Sequence, residues 1–377
     1  MNYEIVPKHW FTPLLLLINK FLHLLSLLYT EYYKNIKGGF VYLMPLTTFK
    51  SVMQSVENTY QTLDCTGAAL VIFHNNELQV EQYWGKHSAK KGARFVQSDT
   101  KFHLASCRKS YVAFAVAYAI HHGLIQSLDD EINRYLPQTQ QLKIYKGTTI
   151  RHLVTHSHGL TEQHGEVIRE FPAGSRWAYR GINVELISEI IQFTTKKTIA
   201  DILIDEIFTP LNYKETNWYN KFDDTFVEVI GIENNKHWSA SQNIDGSKMN
   251  MYASARELAK WGLLHLNNGV MNGEQVVDRA IIQLATTLQS PSYTNVDTPE
   301  NGIFWFVKAS QAKESEIGAL VPNGSFQILG YTTVTLLVIP SENIVAVRAF
   351  NSFGNPAGYD YLKDVKDFGD KIILDLK

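Results

Sequence analysis

The sequence is poor in the features that mark several protein classes. It holds only two cysteines, Cys65 and Cys107, among 377 residues. That excludes a disulfide scaffold and a four-cysteine zinc site, and both thiols read as ordinary buried side chains. It lacks a surplus of charge of one sign, because 35 Lys and Arg offset 37 Asp and Glu to a net −2. Without a basic field to hold phosphate backbones, nucleic acid is not an expected partner. There is no Walker A sequence and no dinucleotide fingerprint after a strand, so no nucleotide cofactor is expected. No repeat of fixed period and no low-complexity tract occurs after residue 50. What is present is ordinary: 45% hydrophobic, 12% aromatic and 19% charged residues, a composition that excludes disorder and a polytopic membrane protein. A chain this long buries roughly three quarters of the surface its unfolded form exposes. It needs no disulfide or metal to hold a core.

The first fifty residues differ from the rest. Residues 10–28 read WFTPLLLLINKFLHLLSLL. Lys20 lies near the middle, which counts against a membrane span. Glu4 in the leader and the lack of a small-residue cleavage site count against a signal peptide. Asn19, His23, Ser26 and Thr30 recur at helical spacing, leaving a wide apolar face. The expectation is an amphipathic helix that packs on the body, on a partner, or peripherally on a membrane surface. The expected location is cytoplasmic, membrane-associated through this helix, with export as the alternative.

From Gly67 the chain reads as a β-hairpin turning at Asn75-Asn76. Residues 106–122 read as an alanine-rich helix closed by Gly123. Residues 183–195 carry an apolar stripe at Val184, Ile187, Ile190 and Ile191. Ser254 and Glu257 match a capping box opening a helix that Gly269 closes. After about residue 300 strands return as IFWFVKA, YTTVTLLVIP and NIVAVRAFN, and residues 364–376 read as a terminal helix. Strands, helices, strands and a final helix predict an α+β fold: an antiparallel sheet flanked by helices, assembled from both chain ends, with a helical subdomain inserted.

The strongest chemical signal is Ser106-Cys107-Arg108-Lys109, an S-x-x-K at a predicted helix start. Residues i and i+3 share a helix face, so Lys109 can reach the Ser106 hydroxyl. A serine at a helix amino terminus sits in positive potential beside free N–H groups. A partly buried lysine loses basicity and can take a proton while neutral. Ser–Lys pairing activates an otherwise weak nucleophile. The motif alone also fits an N-cap serine beside a surface lysine.

The surrounding segments carry more. FHLASCRKSYVAFAVAYAIHHGLIQSLDDEINRYLP resembles the S-x-x-K helix of the serine β-lactamase and penicillin-binding protein superfamily, closest to its class C-like branch, which also holds esterases and D-amino-acid peptidases. TIRHLVTHSHGL, FPAGSRWAYRGINVELISEII, MYASARELAKWGLLHLNNG and GYTTVTLLVIPSENIVAVRAF resemble further segments of that branch in order, together covering about residues 60–375. The resemblance implies Ser106 as acylated nucleophile, Lys109 as its hydrogen-bonded base and Tyr179 as the motif tyrosine sharing general-base work. It implies an oxyanion hole of the backbone N–H groups of Ser106 and a late-strand residue near Val334. No cofactor is implied.

Two departures follow from the same alignment. The family's Y-x-N reads Tyr179-Arg180-Gly181, leaving Gly181 without a side-chain donor. The K-T-G position reads Tyr331-Thr332-Thr333, without the cation and without the glycine that admits the substrate to the strand. Arg180 and Arg348 are candidate replacement cations. The expected activity is therefore a serine hydrolase acting through an acyl-enzyme on a small ester, amide or peptide, with little or no β-lactam hydrolysis. Substrate contacts are expected from Gly181, Tyr331, Thr332 and Thr333. An inactive binding protein of the same fold is the alternative. A metal hydrolase built on His152, His156, His158 and His164 ranks lower, because H-E-x-x-H is absent. The expected division is a leader over residues 1–52 and a hydrolase domain over 53–377. Within it, a sheet part spans about 53–105 and 255–377, and a helical part about 106–254.

Overall fold

A computed structural model describes residues 48–136, 142–231, 241–293, 295–354 and 357–377. The helix expected over residues 10–28 lies outside them. Residues Thr48–Lys377 form one compact unit. No helix among the described residues is long and apolar enough to cross a membrane.

Helix α1 (Lys50–Thr62) opens the unit. The hairpin follows as β1 (Gly67–His74) and β2 (Glu77–Gly85). Asn75 and Asn76 both take positive φ, 53° and 64°, the type I′ geometry that matches strand twist in a tight hairpin. A short strand β3 (Lys101–His103) leads through a 3₁₀ turn (Ala105–Arg108) into α2 (Lys109–His121). The helical part continues as α3 (Ile150–Val154), the hairpin β4 (Leu160–Gln163) and β5 (Glu166–Arg169), α4 (Ile182–Thr195) and α5 (Ile199–Leu203). Strands β6 (Asn217–Trp218) and β7 (Met251–Ser254) join β3 in a small sheet, ordered β3-β7-β6. Helix α6 (Ala255–Leu266), the two-residue strands β8 (Val270–Met271) and β9 (Glu274–Gln275), and α7 (Arg279–Thr286) bring the chain back. The closing elements are β10 (Phe306–Val307), β11 (Phe326–Gly330), β12 (Val334–Ile339), β13 (Ile344–Phe350) and α8 (Tyr361–Asp375).

The main sheet is antiparallel in the order β10-β11-β12-β13-β1-β2, so both ends of the unit do meet. Its central strands are buried on both faces, which explains their continuous apolar runs. Strand alternation sends Ala69, Val71, Leu336, Val338, Val345 and Val347 into the core beneath α6. Leu70, Ile72, Leu337, Ile339 and Ala346 face the other way, toward α1 and α8. Those two helices are tied side by side: Val52 N–H donates to Asp375 at 2.9 Å and the Thr59 hydroxyl donates to Asp364 at 2.7 Å. Gly262 lets α6 lie close to the sheet, since a Cβ there would land 2.5 Å from Val345 Cγ1. Helix α2 is buried almost all round and forms the axis of the helical part.

Three sequence expectations change in detail. Ser254 does cap α6, accepting from Glu257 N–H at 3.1 Å. The Glu257 carboxylate does not close the box; it accepts from Lys214 N–H, Glu215 N–H and the Thr216 hydroxyl at 2.7, 3.0 and 2.7 Å. The run IFWFVKA yields only the two residues of β10, because Phe304 turns to φ 61° and interrupts the extended backbone. The strand expected from Tyr331 begins only at Val334, because Thr333 sits at φ 64°. The strand before it, β11, was not anticipated.

Candidate active site

Ser106 stands in the 3₁₀ turn and Lys109 is the first residue of α2. The turn is entered through Ala105 at φ 46°, a left-handed backbone that costs a non-glycine residue strain and sharpens the bend before the serine. Several contacts hold the bend. Ala105 N–H donates to His103 Nδ1 at 3.2 Å and the Thr332 hydroxyl donates to His103 O at 2.6 Å. The buried Cys107 thiol donates to Val334 O at 3.3 Å and Ile328 O at 3.5 Å. Cys107 is therefore a staple between the turn and strands β11 and β12, and burial raises its thiol pKa, so it is no nucleophile. Gly330 completes the fit: a Cβ there would sit 2.3 Å from Leu104 O and 3.4 Å from Ala105 Cβ. The end of β11 thus lies directly against the nucleophile turn.

Lys109 Nζ joins the two other reactive groups. It donates to Ser106 Oγ at 3.1 Å and to Tyr179 Oη at 2.7 Å, and lies 4.7 Å from the Tyr179 ring centroid. Lys109 is 4% exposed. Burial, then the charge of Arg108, hold its amine well below the ordinary lysine pKa. Tyr179 moves the other way. Although 37% of the residue is exposed to the groove, burial around its hydroxyl pushes the phenol up to about 12, against the Ser106 hydrogen bond and the Arg108 charge that favour ionisation. The site therefore weakens the hold of the amine on its proton and strengthens that of the phenol.

Tyr179 is set by a chain of contacts behind it. Its ring stacks on His156 at 4.5 Å between centroids and 20° between planes. His156 sits at φ 57°, fully buried, and burial, Lys109 and His158 hold it well below the ordinary imidazole pKa. Asn183, on α4, bonds His156 Nδ1 at 3.2 Å and donates to Leu153 O at 3.0 Å. Asn183 is thus buried behind the site and does not replace the asparagine missing at Gly181. His152 and His158 have structural jobs, and His164 is exposed on the turn between β4 and β5. His152 Nδ1 accepts from Thr149 N–H at 3.1 Å and His158 Nδ1 accepts from Leu160 N–H at 3.0 Å. Among the described residues no group of three or more His, Cys, Asp or Glu is placed to hold a metal.

The groove over the serine has a volume of about 910 Å³ and is lined by Ser106, Lys109, Tyr179, Gly181 and Tyr331, all singled out from sequence. Thr332, Thr333 and Val334 do not line it. Thr332 and Thr333 are buried, and their hydroxyls donate to His103 O and to Ser352 O at 2.6 and 3.2 Å. Val334 is an interior β12 residue paired with Gly330. The strand segment at the serine is Ile328-Leu329-Gly330 of β11, three residues earlier than expected, and it does end in a glycine. Strand β11 does carry a sequence signal, the phenylalanine–isoleucine alternation of FQILG closed by glycine. Neither candidate cation is free for a substrate. Arg180 reaches the groove but bridges to Glu170 at 2.9 Å, and Arg348 is buried beside α8, bridged to Asp364 at 2.6 Å. The groove also contains residues the sequence did not suggest: Phe304, Phe306, Glu316 and Tyr361.

The family model described as Beta-lactamase matches residues 53–368. The chain belongs to the beta-lactamase family. This beta-lactamase-family chain is 50% identical over 325 residues to an uncharacterized protein of Alkalihalophilus pseudofirmus, covering 86% of this chain and 96% of that one. Protein flp of Staphylococcus aureus is 22% identical over 323 residues, 77% of this chain and 63% of flp. Among solved structures, a penicillin-binding protein homologue from Caulobacter crescentus superposes with a TM-score of 0.68 at 18% identity, covering 88% of this chain and 97% of that chain. EstCE1, a hydrolase with promiscuous acyltransferase activity, superposes with a TM-score of 0.67 at 14% identity, covering 85% of this chain and 98% of that one. These likenesses agree with the α+β fold of antiparallel sheet and helices described above.

Proposed function

We propose that the protein is a serine hydrolase that cleaves a small ester or amide through an acyl-enzyme and turns over β-lactams weakly or not at all. The observation that carries this reading is the position of Lys109 Nζ, within hydrogen-bond reach of both Ser106 Oγ and Tyr179 Oη. Ser106 Oγ attacks the substrate carbonyl as its proton passes to the neutral Lys109 amine. The tetrahedral oxyanion rests on backbone N–H groups. One is that of Ser106. The other comes from Tyr331, at the end of β11 beside the turn, in place of Val334. Tyr179 passes the proton from Lys109 to the leaving oxygen or nitrogen as the acyl–leaving-group bond breaks. A water then attacks the acyl carbonyl, gives its proton back along the same path, and releases the acid and free Ser106.

Family membership and the hydrolase EstCE1 among the structural neighbours support the reaction class. The weak β-lactam reading rests on Gly181, which offers no side chain, and on Ile328, an apolar residue on the strand segment at the serine. Labelling with a fluorophosphonate and turnover of p-nitrophenyl esters test the proposal. Label on Ser106 and loss of both signals in Ser106→Ala are expected; turnover retained in that variant would refute the mechanism.

A further inference from the structure

The charged groups of the groove are not equally satisfied. On one wall Arg180 is bridged to Glu170 at 2.9 Å and Lys248 to Glu185 at 2.8 Å. Arg108 belongs to the same wall; its Nε donates to Lys248 O at 2.9 Å, and Glu185 acts on its charge. The other wall carries Glu316, on the loop between β10 and β11. Among the described residues its carboxylate has no hydrogen bond and no ion pair. Lys366 of α8 acts on it electrostatically from beyond hydrogen-bond reach, its ammonium donating to Lys313 O at 2.8 Å.

The loop that presents Glu316 is fastened. Gln327 of β11 donates to Glu316 O at 3.0 Å. Ile317, the next residue, is buried in the core between the sheet and α8. Leu320 N–H donates to Asp370 of α8 at 2.7 Å. A carboxylate held in place, drawn partly out of water and left without a partner is costly unless something binds it. Burial raises the Glu316 carboxyl to about 7, against the Lys366 charge that lowers it. Phe304, Phe306 and Tyr361 line the same groove, and Tyr361 lies within electrostatic range of Glu316. Aromatic faces attract a desolvated cation and repel an anion.

We propose that Glu316, with the rings of Phe304, Phe306 and Tyr361, forms the subsite for a positively charged ammonium group of the substrate. This names the substrate class of the hydrolase reading and rests on it. The ammonium contributes no bond to the reaction; it anchors one end of the substrate while Ser106 attacks the carbonyl at the other.

A pair of esters that differ in charge and hardly in shape tests the subsite: the p-nitrophenyl esters of 4-(trimethylammonio)butanoate and of 5,5-dimethylhexanoate. The wild-type protein is expected to favour the cationic ester in kcat/KM by about tenfold, a preference of the size a carboxylate and aromatic faces confer on a desolvated cation. Glu316→Gln is expected to remove that preference, since the amide keeps the shape and loses the charge; the ratio of the two esters is the readout, because the Glu316 charge also acts on Tyr179 and so on the turnover of both. Equal treatment of the two esters by wild type and variant would overturn the subsite while leaving the hydrolase reading standing. A direct titration with propyltrimethylammonium by calorimetry reads the subsite without turnover. Heat from the wild type and none from Glu316→Gln is expected. If neither ester is turned over and Ser106 takes no fluorophosphonate, the hydrolase reading fails, and this titration still decides whether Glu316 binds a cation. Equal heats from both proteins, or none from the wild type, would overturn the proposal.

Discussion

The two walls that meet at Ser106 follow different rules. The nucleophile turn is closed and over-determined. His103, Cys107, Thr332 and Gly330 all fix it, and its reactive atoms bond one another. The opposite wall, made by β11 and the loop before it, is apolar and aromatic, with an acid, Glu316, left unpaired among the described residues. The contrast shows two parts of one groove built by different means: a polar turn cross-linked by hydrogen bonds, and an apolar and aromatic face. Atoms that must meet to move a proton are held within tenths of an ångström.

The largest effects should come from breaking the closed wall. Ser106→Ala is expected to reduce ester kcat/KM by about a thousandfold or more, read as initial rates. Lys109→Met should do the same and also raise the melting temperature. Its folded pKa lies below the unfolded one, so between those two values the unfolded chain binds the extra proton and wild-type stability rises with pH. Removing the amine should therefore raise stability near pH 7, the gap narrowing as pH climbs through the ordinary lysine range. Equal or lower stability of Lys109→Met near neutrality would count against a strained, buried base.

Next in size is Gly330→Ala. Its Cβ would sit 2.3 Å from Leu104 O, a backbone atom that cannot swing aside. The strand end must retreat from the turn, pulling the Tyr331 N–H out of the oxyanion position. A loss of about a hundredfold in kcat is expected, with KM changed much less, since one oxyanion donor is worth that much. Equal losses in kcat and substrate affinity would place the damage in the groove instead.

The pH profile sharpens the same wall with a smaller signal. With a neutral ester, kcat/KM should rise as Lys109 loses its proton, at a pH below the ordinary lysine range. It should then hold level through about pH 10, because Tyr179 keeps its proton until about 12. A fall beginning near pH 8 would mean that a cationic Lys109 is the working form.

What could be read from the sequence follows the same division. The S-x-x-K spacing is local, and the 3₁₀ turn and α2 deliver Ser106 and Lys109 to one point. Tyr179 arrives from a distant part of the chain, yet a recognisable segment carries it. The two-ended sheet was legible because β1, β12 and β13 are buried on both faces and read as unbroken apolar runs. Strand β11 was not, being five residues long with Gln327 near the middle and glycine at its end. Overlooking it moved the expected substrate strand to Tyr331-Thr332-Thr333 and the second oxyanion donor to Val334. Glu316 had no signal at all. A lone acid in a loop resembles every solvated acid until tertiary structure buries it beside rings from distant segments. The stacking of His156 behind Tyr179, and the bond from Asn183 that holds it, are long-range facts that no local pattern carries.

Gly181→Asn gives the smallest expected effect and tests recognition by addition rather than removal. Gly181 sits at φ −78°, which any residue adopts, and a Cβ there would meet nothing within 4 Å. Melting should therefore shift by no more than ~0.5 kcal/mol equivalent. The new amide would project from a residue that already lines the groove beside Tyr179, where it can donate to the carbonyl of an acylamino side chain. That group is present in β-lactams and peptides and absent from simple esters. The expected result is a gain of about threefold to tenfold in kcat/KM for an N-acylated amide or thioester and no change for p-nitrophenyl butyrate, the gain of one added hydrogen bond. A gain on both substrates would show that the introduced amide acts on the proton path through Tyr179 rather than on recognition.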